Sequence, residues 1–373
     1  VDEIAYNITP TSPIKIRGAA VKRDFIAPLS ACIGTAVRVK EESRIKSRMP
    51  TSAKANVSAT ESLTDSTFQC SPALHRQPGE TCIPKNALEK MRRTWNKLHP
   101  TEKIKGSSES NNNGGIWKQI RGAMKRHYQC NTEYCIVEKM PGIDKKERDS
   151  MRAYFKPAKP DAWDKKPTTW LDSFNIEDVM NQYEEAYPHF EFIGPVPIDF
   201  DAPDGAWGRC IVDELCKLDI RKAGAAGTTM IGIIFNLDAH DEPGSHWVCA
   251  FIDIPKSAAY YFDSYAVEPP NEVKVLLKRL HDQGIANIYY NDVRHQRKGS
   301  ECGMYCLYTI ISLVAGRSFY NVCRRVIDDD TMNSLRDIIF ATEKPRKNAL
   351  EKALGLLEGE TTAAPTGFKK PTI

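Results

Sequence analysis

Cys302 stands at the end of Gln296-Arg297-Lys298-Gly299-Ser300-Glu301-Cys302-Gly303, just ahead of the uncharged run Met304 to Val314. A helix that is apolar on nearly every face belongs in a core. Its polar, glycine-flanked entry puts Cys302 at the helix N-terminus, where unpaired N–H groups and the helix dipole favour an anion. The thiolate is the reactive form of cysteine, so this position suits a nucleophile. The competing expectation is a buried, inert thiol, the common fate of free cysteine. Cys306, one turn further along, keeps that second reading. What separates the two is company: a base, a group to orient it, and a donor for the developing oxyanion.

The chain offers all three. His246 lies between Ser245 and Trp247, where a loop enters the apolar run Trp247 to Ile254, and Asp263 ends the run Ala258 to Asp263. Antiparallel neighbours bring the start of one strand beside the end of the next, so Asp263 is placed to hold one ring nitrogen of His246. The other nitrogen then faces Cys302 and draws its proton. Gln296, in the loop before the cysteine, offers a side-chain amide as oxyanion donor, with the backbone N–H of Cys302 as the second. Each has a bland alternative: a strand-edge histidine, a turn-forming aspartate, a solvated glutamine. It is the set, in this order, that argues for nucleophilic catalysis.

The elements that must carry these residues are legible in outline. Asp172 or Ser173 caps a helix running towards Tyr183. Short apolar segments follow at Phe190 to Phe192 and Val196 to Phe200, broken by Pro195 and Pro197. Met230 to Leu237, Trp247 to Ile254 and Ala258 to Asp263 read as strands, continuously apolar as in a sheet covered on both faces. A helix from Asn271 to about Gln283, a strand from Asn287 to Val293 and the buried helix complete the set. The order predicts an α+β layer, a mixed sheet flanked by helices. Upstream, Leu88, Met91, Trp95 and Leu98 form one helical stripe behind Pro84, and Ile116 to Met124 repeats it. Trp95 and Trp117 are expected in the core of that small helical unit.

The expected domains are a flexible basic arm (1–66), a helical domain (67–140), a linker (141–169), the catalytic domain (170–343) and a tail (344–373). The arm is Pro-punctuated, with ten Lys/Arg against five Asp/Glu through residue 60, a composition too polar to offset its ordering entropy. The whole chain has 373 residues, a net charge of +4 and a mean hydropathy of -0.46. That charge is too small to argue for nucleic acid, and no apolar run reaches the length of a membrane span. The eleven cysteines are scattered and odd in number, and are expected as reduced intracellular thiols. His127, Cys130 and Cys135, with Cys70, His75 and Cys82, lack the paired short spacings of a zinc site, so no metal or cofactor is expected.

The pattern His246-Trp247, Asp263, Gln296 and Cys302-Gly303 resembles the SUMO-protease/adenovirus-protease group of cysteine peptidases, whose fold is papain-like. The resemblance implies His246 as base, Asp263 as its orienter, Gln296 as oxyanion donor and Cys302 as nucleophile. It also implies Trp247 packed beside the site, as a candidate substrate-binding residue. Thr81-Cys82-Ile83-Pro84, Thr132-Glu133-Tyr134-Cys135, Thr169-Trp170-Leu171 and Gly194 to Phe200 are similar to segments of proteases from large nucleocytoplasmic DNA viruses. Those pair a helical N-terminal domain with the peptidase and process virion precursors after Gly-Gly-X sites. The implied substrates are therefore virion precursor polypeptides, at virion and cytoplasmic assembly sites, with capsid or core proteins as partners for the terminal arms. Two other readings stand beside this one: a protease that removes SUMO or another ubiquitin-like modifier, and a virion structural component whose protease role is secondary. Asn113-Gly114-Gly115-Ile116, read as a flexible polar insert, is a candidate for self-cleavage.

Overall fold

A computed structural model describes residues 66–74, 81–106, 113–204, 208–346 and 349. The arm expected before Ser66 and nearly all of the tail beyond Arg346 lie outside the described residues. The described chain divides into two compact units, one spanning Thr168–Met332 and the other formed by residues up to Pro167 together with Asn333 onwards.

The helical unit contains α1 (Lys85–Leu98), α2 (Asn113–Tyr128), α3 (Glu133–Lys139), α4 (Lys145–Arg152) and α5 (Ala162–Lys165). Leu88, Met91 and Trp95 of α1 pack with Ile116, Trp117, Ile120 and Met124 of α2, as their helical spacing predicts. The Trp95 indole N–H donates to the Glu102 carbonyl at 2.9 Å, so the buried ring leaves no orphaned donor. Two expectations are corrected here. Residues 141–169 are not a linker: Met151, Phe155 and Trp163 are buried, two of them in short helices that polar, Lys-rich composition disguised. Asn113 to Ile116 opens α2, so Gly114-Gly115 lies in the first turn of a helix rather than in a loop.

The unit built on Thr168–Met332 begins with α6 (Ser173–Ala186), capped by Asp172, whose side chain accepts from the Asn175 N–H while Asn175 answers in kind. There follow β1 (Phe190–Pro197), β2 (Pro203–Asp204), β3 (Arg209–Cys210), α7 (Asp213–Cys216), α8 (Ile220–Ala226), β4 (Met230–Asn236), β5 (Trp247–Asp253) and β6 (Ala258–Phe262). Next come α9 (Asn271–Asp282), β7 (Asn287–Tyr290), α10 (Cys302–Val314), α11 (Phe319–Arg324) and α12 (Asp329–Ser334), before α13 (Arg336–Ile339) in the helical unit. The main sheet has the order β1-β4-β5-β6-β7. Its outer pairs are parallel and its inner pairs antiparallel, which makes it a mixed sheet.

The segments at Phe190 and Val196 are one strand whose register shifts across Pro195, where a missing N–H interrupts the ladder. Alternate residues face opposite sides. Ile231, Ile233, Phe235, Val248, Ala250, Ile252 and Tyr261 meet Val273, Leu276, Leu277 and Leu280 of α9. On the other side α10 packs against β5 and β4 with all thirteen of its residues buried. Gly232 of β4 makes that approach possible: a Cβ there would meet Phe190 at 3.0 Å and Ile310 at 3.1 Å. Burying each large apolar side chain of α10 stabilises the fold by about 1.5–3 kcal/mol, so the helix is a firm base for its first residue.

The cysteines depart from expectation. Cys70–Cys82, Cys130–Cys135 and Cys210–Cys216 are disulfides, and Cys249, Cys302, Cys306 and Cys323 are free. Counting thiols could not reveal this, because pairing depends on Cα approach rather than on number. Four of the cysteines weighed as zinc ligands are thus joined to one another.

Candidate active site

β5 and β6 are paired antiparallel with Cys249 opposite Phe262, which sets His246, just before β5, beside Asp263, just after β6. His246 Nε2 lies 2.7 Å from Asp263 Oδ1. Asp263 is almost wholly buried, and its carboxylate accepts further from the Tyr265 N–H at 2.9 Å and the Val267 N–H at 3.2 Å. Its backbone is clamped in turn by Asn291, whose Oδ1 accepts from the Asp263 N–H at 2.9 Å and whose Nδ2 donates to the Asp263 carbonyl at 2.7 Å. A buried carboxylate held this way has one orientation, and it passes that orientation to the imidazole.

The other face of the imidazole engages Cys302. Burial opposes a charge on His246, but the hydrogen bonds to Asp263 and to Cys302 outweigh it and raise its pKa to about 9. With Nε2 taken by Asp263, Nδ1 is the nitrogen that serves the sulfur. Cys302 is the first residue of α10, the end of a helix whose N–H groups lack intrahelical partners and whose dipole favours an anion. Cys306, one turn deeper, is different in kind: burial pushes its thiol well above the ordinary range, with a further push from Cys249.

Gln296 is fully buried in the loop ahead of Cys302. Its backbone N–H donates to the Ser264 carbonyl at 2.9 Å, its Oε1 accepts from Ser264 Oγ at 2.6 Å, and its Nε2 donates to the Lys298 carbonyl at 2.6 Å. Asp329 fixes the same loop by accepting from the N–H groups of Arg297 and Lys298 at 2.9 and 3.2 Å. The loop is therefore built around the turn that carries Asp263. Trp247 is buried, with its indole N–H donating to the Leu171 carbonyl at 3.0 Å. It packs with Leu171 over Gly303, where a Cβ would meet Leu171 at 3.1 Å and Trp247 at 3.3 Å. Its polar atom is spent and its face covers the catalytic helix, so the ring supports the site from within. The exposed aromatics lie next door: Trp170 is 46% exposed and Phe174 63%.

Reading the sequence missed Ser264, Tyr265, Asn291 and Asp329. Asn291 and Asp329 sit about thirty residues from their partners and act through backbone groups, which no side-chain spacing announces. The region from Pro203 to Ala226, with β2, β3, α7 and α8, was not anticipated either. Asp201, Cys210 and Cys216 there lie within metal-ligand distance of one another, but the two sulfurs form a disulfide and Asp201 pairs with Arg279 at 3.1 Å.

A thiol at a helix mouth, an imidazole engaging it and a buried carboxylate behind the imidazole are the parts that nucleophilic attack by cysteine calls for. Comparison with known proteins agrees. The C-terminal catalytic domain of the Ulp1 protease family matches residues 225–348. A protein of Acanthamoeba polyphaga mimivirus, named as a thiol protease, is 29% identical over 74% of this chain and 96% of its own. A cysteine protease of African swine fever virus is 24% identical over 57% of this chain and 83% of its own. The crystal structure of the selenomethionine form of the African swine fever virus protease superposes with a TM-score of 0.53 at 20% identity, covering 76% of this chain and 100% of that one. This chain is a cysteine peptidase. It carries an Ulp1-type catalytic domain, and its relatives include proteases of large DNA viruses.

Proposed function

We propose that the protein is a viral cysteine endopeptidase that cleaves virion precursor proteins, after Gly-Gly-X-type sequences, at sites of particle assembly. The observation that carries the reading is the buried chain of contacts from Asp263 through His246 to Cys302. His246 takes the Cys302 proton, and the thiolate attacks the scissile carbonyl carbon. The oxygen that becomes negative is met by the Cys302 N–H and by the second N–H of the Gln296 amide. As the intermediate collapses, the C–N bond breaks and the leaving amine takes the proton from His246. Water then gives a proton to His246 and attacks the thioester, releasing the acid and restoring the thiol. Trp170 and Phe174 offer an exposed apolar surface to the polypeptide on either side of the bond.

Incubating purified precursors with the wild type and with Cys302→Ala, and sequencing the new N-termini, tests this. Cleavage after Gly-Gly-X by the wild type alone is expected; cleavage by the Ala variant would refute the mechanism. The Ulp1-type domain also favours a second substrate class, conjugates of SUMO or another ubiquitin-like modifier. Modifier fusions assayed beside the precursors decide between them, since the preferred substrate will show the higher kcat/KM.

A further inference from the structure

Tyr265 touches both halves of the site. Its backbone N–H donates at 2.9 Å to the same Asp263 oxygen that holds His246. Its ring stacks on the imidazole with centroids 4.9 Å apart and planes 27° from parallel. Its hydroxyl donates to the Lys298 carbonyl at 3.0 Å, and that carbonyl is also the acceptor for Gln296 Nε2. Arg294 adds a second tie: its guanidinium lies 5.0 Å from the centre of the Tyr265 ring, and its Nε donates to the Gln296 carbonyl at 2.8 Å.

We propose that Tyr265 is a positioning residue for the peptidase reaction, its ring holding His246 towards Cys302 and its hydroxyl aiming the Gln296 amide; this rests on the peptidase reading above. An imidazole bonded through one nitrogen can still swing about that bond, and a flat ring against its face removes the freedom. The same aromatic face is attractive to the imidazolium that forms when Cys302 gives up its proton. On the other side, the Gln296 amide has two N–H groups, and one is committed to Lys298. The direction of the second therefore follows the position of that carbonyl. A carbonyl oxygen has two lone pairs, so it accepts from Tyr265 and Gln296 together without competition. Fixed by Tyr265, it presents the free N–H before the oxyanion forms, which is when an ordered donor is worth most. Tyr265 makes no bond to the substrate in this scheme; it works through His246 and Gln296.

The two roles belong to different atoms, and two reactions separate them. Iodoacetamide alkylates the thiolate, an S–C bond forming as iodide leaves and no oxyanion arising, so the rate reads the Cys302–His246 pair alone. Hydrolysis of a Gly-Gly peptidyl aminomethylcoumarin needs that pair and the oxyanion donor together. Tyr265→Phe keeps the ring, and its Cys302 is expected to be alkylated at the wild-type rate at every pH. Its kcat should fall roughly five- to tenfold with KM little changed, the size of one lost hydrogen bond. Tyr265→Ala is expected to lose rate in both reactions and to shift the pH profile of alkylation. Wild-type alkylation by Tyr265→Ala would overturn the role of the ring, and wild-type kcat in Tyr265→Phe that of the hydroxyl. A tyrosine that only supports the fold would slow both reactions equally in both variants, in step with the unfolded fraction seen by circular dichroism, and that too would overturn the proposal. Cleavage by Cys302→Ala, or a wild type that alkylates at Cys302 yet spares the peptide, would instead count against the reading beneath it.

Discussion

At the scale of single residues, the site depends on what each group is made to bond. His246 holds its charge well beyond the ordinary imidazole range, to about 9. Because its folded pKa lies above the unfolded value of about 6.5, its charge stabilises the fold below that value. The contribution fades as pH rises through 9. In the proposed mechanism the imidazolium protonates the leaving amine, so turnover is expected to fall on the alkaline side near the same pH. A kcat profile with an alkaline limb near neutrality would contradict this. In the same mechanism Gln296→Ala removes one oxyanion donor and is expected to lower kcat by roughly 10²–10³, with Cys302 still alkylated at the wild-type rate. The cysteines give a separate check. Under denaturing conditions without reductant, peptide mapping of the ten described cysteines should find Cys249, Cys302, Cys306 and Cys323 labelled at once. The other six should label only after reduction.

At the scale of elements, α10 is the reference against which everything else is aligned. Its first residue, the proposed nucleophile, is anchored by the other twelve, which are buried, and by Leu171 and Trp247 packed at its mouth. Gly303→Ala puts a methyl group 3.1 Å from Leu171, so the N-terminal turn must shift by a few tenths of an ångström. The expected cost is about 1 kcal/mol by urea unfolding, with a larger proportional loss in the alkylation rate of Cys302, because overpacking here displaces the nucleophile itself. An unchanged alkylation rate would show that the helix mouth tolerates the shift. The antiparallel step from β5 to β6 does the same work for the base. It sets His246, just before β5, beside Asp263, just after β6, and slipping the register by one residue would turn one of the two side chains to the other face.

At the scale of the whole molecule, the chain ends its catalytic unit and then returns to complete the helical one. Asp337 is fully buried and pairs with Arg346 at 2.7 Å and Lys159 at 3.2 Å, while Gln69 donates to the Thr342 carbonyl at 2.6 Å. The catalytic domain was expected to run to residue 343; instead Asn333 onwards belongs with the helices. Asp337→Ala leaves two cations without their buried partner and is expected to destabilise the helical unit by about 3 kcal/mol. Hydrogen exchange should speed up across α1 to α5 and leave α10 protected; equal loss in both units would refute the division. The net charge of +4 also hides a partition. Residues 81–167 carry 20 Lys/Arg against 10 Asp/Glu, and residues 168–332 carry 14 against 25. Such a chain should bind both cation and anion exchangers at neutral pH and low salt, which a uniform charge of +4 would not do.

Much of this was present in the sequence. Helical and strand periods depend on neighbours within a few positions, so α1, α6, α9, α10 and the three central strands could be read from the order of apolar residues. Cys302, His246, Asp263 and Gln296 could be named because each has a side chain suited to one step of a single reaction. What needed the tertiary structure were the partners that act through backbone groups or across long separations. Asn291 clamps the backbone of Asp263, Asp329 holds the Gln296 loop, Tyr265 stacks on His246 and bonds the Lys298 carbonyl, and residues beyond Asn333 close the helical unit. The same holds for the three disulfides, since a thiol's partner is whichever sulfur folding brings within reach. A residue's chemistry is local, and the sequence determined it here; its orientation is set by groups distant in the chain, which only the fold brings together.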